Sequence, residues 1–222
     1  MQLRFEDRRE AGQYLAERLL EYADGDEVLV LALPRGGVPV AYEVAKRLNA
    51  PLDIFTVRKL GVPGHEEYAM GAIATGGARV LNRSAVEQLR ISDSVIEEVV
   101  QEEQEELERR ERTYRAGRPA PEIEGRTVLL VDDGMATGSS MAAAVKALRQ
   151  HRPAKIVVAV PAASRQTCEQ FEDLVEDVIC AITPEPFMAV GVWYERFPQT
   201  TDEEVRTLLE DAQQFGGHEP RR

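Results

Sequence analysis

Cysteine and histidine are scarce in this 222-residue chain. Its two cysteines, Cys168 and Cys180, are too few for a disulfide scaffold or a cysteine-based zinc site. The three histidines, His65, His151 and His218, are scattered and lack ligand spacing. Long hydrophobic runs are also missing, and no segment approaches the roughly 20 apolar residues that span a bilayer. Met1 to Glu10 is charged and holds no apolar signal segment. Positive charge is in deficit, and the net charge of −12 argues against a general nucleic-acid binder, which needs a basic face to replace counterions. A local anion site remains open, because backbone amides at a helix start bind phosphate without net positive charge. The composition thus predicts a soluble, cytoplasmic protein of a reducing compartment, with neither nucleic acid nor membrane as partner.

With 43% hydrophobic residues there is material for a core, so global disorder is excluded. The length suits one sizeable domain. Residues 1–215 are read as that domain, and 216–222 as a flexible tail. Along the chain, strand and helix signals alternate. Asp7 and Glu10 resemble a capping box ahead of Ala11, Leu15, Leu19 and Tyr22 on one helical face. Val28 to Leu33 is a short continuous apolar run, which suits a strand buried on both faces, and Val38 to Leu48 follows with helical spacing. Asp53 to Lys59 reads as a second strand, Gly61 to Gly64 as a mobile loop and Ala69 to Ala74 as a further strand. Val128–Val131, Lys155–Val160 and Asp177–Ile182 continue the pattern, with a helix over about 139–149 and a last one capped by Thr200, Thr201 and Asp202.

A long polar helix, about 92–115, interrupts this alternation. Between Glu97 and Arg112 it carries eight glutamates and three arginines over a thin stripe of Ile96, Val99 or Val100, Leu107 and Tyr114, so it reads as a solvated face. The whole predicts an α/β fold, a doubly wound, mainly parallel sheet with helices on both faces. Ligands of such sheets sit at the carboxyl ends of the strands.

Two glycine-bearing turns occupy that position. The first is VLLVDDGMATGSS over 128–140. It delivers Asp132 and Asp133 to a strand end, followed by Gly134, Ala136, Thr137, Gly138, Ser139 and Ser140 where a helix begins. The first amides of that helix lack internal partners, and small residues let the backbone close on an anion. The two carboxylates would repel a phosphate, so they suit ribose hydroxyls or a magnesium ion. The spacing is neither a P-loop nor a dinucleotide fingerprint. The second turn is Pro34-Arg35-Gly36-Gly37 after the first strand.

Together these turns resemble the type I phosphoribosyltransferases. The acidic turn resembles that family's phosphoribosyl-pyrophosphate (PRPP) loop, and Arg35-Gly36-Gly37 its pyrophosphate loop. The resemblance implies that Asp132 and Asp133 hold the ribose diol and Mg2+. It assigns the 5′-phosphate to 136–140 and the diphosphate to Arg35, Gly36, Gly37, Arg58 and Lys59. Glu67, in a closing loop at 61–68, loosely matches a Glu-Tyr pair of adenine enzymes and is a candidate acid or base. The segment 183–198 looks like the hood of purine enzymes, with Phe187 and Trp193, and also Tyr194, as candidates to stack on a base. Ala136 and Pro161-Ala162-Ala163 depart from 6-oxopurine enzymes, which disfavours hypoxanthine and guanine. The expected activity is transfer of the phosphoribosyl group of PRPP to an unidentified base. A PRPP sensor acting through a protein partner is the alternative. The family also implies a possible homodimer.

Overall fold

The computed structural model describes residues 4–215 except Asp26, and of Glu66 and Glu67 it describes only the backbone. The tail at 216–222 lies outside the described residues, as does His218. Five parallel strands form the central sheet: β1 (Val28–Ala32), β2 (Leu52–Ile54), β6 (Thr127–Val131), β7 (Lys155–Ala162) and β8 (Asp177–Ile182). Their order is β2-β1-β6-β7-β8. The remaining strands, β3 (Val57–Val62), β4 (His65–Ala74) and β5 (Ala78–Leu81), make a separate antiparallel sheet.

The continuous apolar runs are explained by burial on both faces. Val28, Val30 and Ala32 of β1 join one core cluster with α1 (Arg8–Ala16), α2 (Gly37–Leu48) and α7 (Asp202–Asp211). Leu29 and Leu31 join another with α5 (Ser139–Leu148) and α6 (Arg165–Glu172). Helices therefore cover both faces, as expected of a doubly wound sheet. The chain leaves β1 toward β2 on one side, and β6 joins β1 on the other. The order of strands thus reverses between β1 and β6, and their carboxyl ends flank the switch point where open α/β sheets bind ligands.

Three expectations are corrected. The single strand over 53–59 is two: Phe55 N–H still donates to Ala32 O, but Thr56 N–H donates to Thr75 Oγ1, and the chain changes sheets there. The segment read as a mobile loop is the end of a hairpin, since Gly61 pairs with Ala69 and Val62 with His65. The cysteines, read as those of a reducing compartment, form a Cys168–Cys180 disulfide because α6 packs back onto β8.

The polar helix also does more than meet solvent. As α4 (Asp93–Arg115) it packs on β3 and β4. Ile96 and Leu107 are buried with Leu60, Val62, Met70 and Ile73 of the hairpin. With α3 (Arg83–Gln88) it belongs to the segment between β2 and β6. At its end Arg115 is buried, bonding Asp53, Glu111 and the carbonyl of Ile54. None of the described helices is long and apolar enough to cross a membrane.

Candidate active site

The two glycine turns meet because their strands are neighbours. Ala32 is in register with Val131, and Leu33 N–H donates to Val131 O at 2.9 Å. Beyond that point the backbones approach closely. A Cβ on Gly36 would lie 2.1 Å from Asp133 Oδ2, and one on Gly37 would lie 2.8 Å from Val131 O and 2.9 Å from the Cα of Asp132. The Pro34–Arg35 peptide bond is cis. Gly37→Ala must therefore push backbone against backbone. It is expected to cost about 1–3 kcal/mol as an overpacked site does. A thermal melt with an unchanged midpoint would contradict this contact.

Both turns run directly into helices that no side chain caps. Gly36 is the N-cap of α2 and Gly138 that of α5. The first α5 amide has only a long contact, from Ser139 N–H to Thr137 Oγ1 at 3.4 Å. Gly138 holds φ +68°, and a Cβ there would meet the Phe171 ring at 2.6 Å, so glycine is required. Ala136, Thr137, Ser139 and Ser140 are exposed. Thr167 Oγ1 donates to Ala136 O at 2.7 Å, which fixes the loop from α6. The first α2 amides are taken up by their own turn, Gly37 N–H donating to Leu33 O and Val38 N–H to Arg35 O, both at 3.1 Å, whereas the first α5 amide keeps only its long contact, so the α5 start is the one suited to receive an anion through its amides.

The tandem acids stand between them. Asp133 N–H donates to Asp132 Oδ1 at 2.8 Å, which turns the first carboxylate back over its own strand end. Burial, and then the charge of Asp133, push Asp132 well above the ordinary aspartate range. Burial also raises Asp133, against the opposing pull of Arg8. Arg8 Nε bonds Asp133 Oδ2 at 2.8 Å, its Nη1 donates to Pro198 O at 2.6 Å, and its guanidinium lies 3.8 Å from the centroid of Phe197. Arg8 is the first residue of α1, where a cation opposes the helix dipole. Its pairing with Asp133 offsets that cost. Tyr194 completes the frame by donating to Asp133 O at 2.6 Å. A parallel bridge between Phe5 and Tyr194 ties the start of the described chain to the segment 183–198.

Arg8 is a residue that the sequence reading misses. It sits in a charged stretch with Arg4 and Arg9, and no motif marks it; its partner is 125 residues away. Arg35 is placed by Asp202, 3.4 Å away, which also accepts from the Tyr114 hydroxyl at 2.7 Å. These two bonds hold Asp202 below the usual carboxylate range, with Tyr114 the larger cause, and the Tyr114 phenol is pushed up to about 12, chiefly by burial.

The other expected residues lie outside the two turns. Arg58 is bonded by Glu103 and is within 4.0 Å of Glu106, both on α4. Lys59 beside it is exposed. The Glu67 side chain lies outside the described structure. Phe187 and Trp193 stack at 6.2 Å with planes 24° apart, but Trp193 is buried and only Phe187 is partly exposed. Trp193 backs Phe187 and is itself enclosed.

The sequence matches the phosphoribosyl transferase domain over residues 5–192. The chain belongs to the phosphoribosyl transferase domain family. This phosphoribosyl transferase domain is 45% identical over 208 residues to a Mycobacterium tuberculosis protein named "Putative phosphoribosyl transferase Rv0571c", covering 94% of the chain and 47% of that protein. The chain thus spans about half the length of the curated relatives it matches. Its structure is similar to that of TT1426 from Thermus thermophilus, with 43% identity, a TM-score of 0.81, and coverage of 94% of this chain and 99% of that one. A more distant likeness, to AQ2163 from Aquifex aeolicus at 13% identity and TM-score 0.50, covers 91% of this chain and 85% of that one and concerns the fold alone.

Proposed function

We propose that this domain transfers the phosphoribosyl group of PRPP to a nitrogenous acceptor and releases pyrophosphate. One observation carries the reading: two uncapped helix starts flank a tandem aspartate at the switch point of the sheet. PRPP has the matching form, a diol with a phosphate at one end and a diphosphate at the other. In this reading the amides of 138–140 and the hydroxyls of Thr137, Ser139 and Ser140 bind the 5′-phosphate. Asp132 and Asp133 accept from the ribose hydroxyls. Gly36, Gly37 and Arg35 hold the diphosphate. Departure of pyrophosphate leaves a cationic, oxocarbenium-like sugar, so catalysis rests on stabilising the leaving group, positioning the acceptor and excluding water. Phe187 offers a partly exposed ring against which an acceptor base stacks.

Among the described residues no group of three or more His, Cys, Asp or Glu side chains could hold a metal by itself. Asp132 and Asp133 fit magnesium in the other common manner, as one or two carboxylates beside substrate oxygens. When bound there, magnesium would neutralise charge on the diphosphate. Arg58, bonded to Glu103, would have to exchange that partner to reach a diphosphate.

Calorimetry tests the reading directly. PRPP with magnesium is expected to bind with a dissociation constant of roughly 1–100 μM, within the usual range for enzyme substrates. A titration without heat at millimolar PRPP would end the proposal. Pyrophosphate release in a screen of bases would then identify the acceptor.

A further inference from the structure

Away from the candidate active site, a cleft of about 630 Å³ opens between the hairpin sheet and the side of α5. It shares no residue with the glycine turns or the tandem acids. In a chain with net charge −12 its lining is distinctive: Arg79 from β5, Arg83 from the start of α3, Lys146 from α5 and Arg149 just beyond that helix. Two carboxylates answer these four cations. Glu97 meets Arg79 at 2.7 Å and Glu176 meets Arg149 at 2.9 Å. Arg83 and Lys146 are exposed and add an excess of positive charge. Arg79 also carries a buried Nε–H that has no hydrogen-bond partner. A buried donor left in this state is costly, and it marks the Arg79 side chain as one whose polar groups are not all satisfied within the described residues.

The lining is not only cationic. Val80, Val145 and Leu174 give it an apolar wall. A free inorganic anion would use the charges and leave that wall bare. A phosphorylated molecule with a ring or apolar moiety uses both, since guanidinium groups bind phosphate in bidentate fashion and stack on planar rings. We propose that this cleft is a second, nucleotide-binding site. Lys146 lies seven residues along α5 from Ser139, about 10 Å by helical rise, so the cleft and the phosphate cradle lie on one rigid element.

ATP without divalent metal is the probe, with adenosine as the uncharged comparison, titrated into the full chain. ATP is expected to bind with a dissociation constant below about 1 mM and to weaken as salt rises, as screened charges do. Adenosine is expected to give no heat. Arg83→Glu with Lys146→Glu, both at exposed positions, is expected to weaken ATP at least tenfold. Ser139→Asp sets a carboxylate in the proposed 5′-phosphate cradle and is expected to leave ATP binding unchanged. The proposal is overturned if the double variant binds ATP like the parent, if ATP gives no heat, or if adenosine binds as tightly. Loss of ATP binding in Ser139→Asp would also overturn it, by assigning the nucleotide to the cradle. These results are read without PRPP and so do not depend on the proposed transfer activity.

Discussion

Replacing Arg8 by methionine is expected to destabilise the domain and to abolish PRPP binding together. The guanidinium is bound on three sides, by Asp133, by Pro198 O and by the face of Phe197. Methionine keeps much of the hydrocarbon stem but leaves Asp133 beside Asp132 with no cation. Removing one partner of a buried pair typically costs about 3–5 kcal/mol, and the lower end applies here because both side chains keep some solvent contact, 11% for Arg8 and 15% for Asp133. A loss of about 3 kcal/mol lowers the melting temperature of a domain this size by roughly 6–12 °C. Arg8→Lys is expected to recover only part of the loss, since an ammonium has no fork to span a carboxylate and a carbonyl. Thermal melts and calorimetry of the two variants decide the matter. A methionine variant that melts and binds like the parent would remove Arg8 from the site.

Asp132→Asn is expected to move stability and activity in opposite directions. Burial and the neighbouring Asp133 raise the folded-state pKa of Asp132 above its unfolded value. Between those two values the folded chain binds more protons than the unfolded one. Stability therefore falls as pH rises through that window, and at neutral pH the ionised group is a burden. Asparagine removes it. The variant should melt higher than the parent at pH 7, by a few degrees for about 1 kcal/mol, and the gain should shrink toward pH 4. In the proposed site its hydrogen-bonding amide cannot replace a carboxylate that faces a ribose diol and a metal ion. Transfer should fall by about 100-fold or more, the scale on which losing one electrostatic contact in an active site is felt. Melts at several pH values, read beside pyrophosphate release, test both halves. A variant less stable at pH 7, or as active as the parent, contradicts the assignment.

The parts of the fold that are legible in the sequence have local causes. Strands β1 and β6 read as continuous apolar runs because both faces of a parallel sheet are covered, and their glycine turns stand out against that background. The split between β2 and β3 is not legible. The run from Asp53 to Lys59 is unbroken, and the change of sheet at Phe55 and Thr56 depends on acceptors at Ala32 and Thr75. The function of α4 is hidden for a similar reason. Its stripe of Ile96 and Leu107 is thin, but the hairpin supplies the other half of that core, and Glu103 acquires meaning only beside Arg58. Arg8 is invisible because its partner lies across the molecule. The tandem acids, by contrast, announce themselves in sequence, but the cation that orients the second of them does not.

The adjacency of β1 and β6 also bears on how the domain acquires its pocket. These strands are hydrogen-bonded neighbours, yet Val28 pairs with Thr127 roughly a hundred residues later. Closing so large a loop is entropically unfavourable until the sheet assembles, and topologies rich in such distant pairings fold slowly. A chain emerging from denaturant therefore has no site until β1 and β6 have paired. A ligand gripped by both turns recognises only the finished sheet, and its binding energy protects the domain against global opening far more than against fraying at its edges.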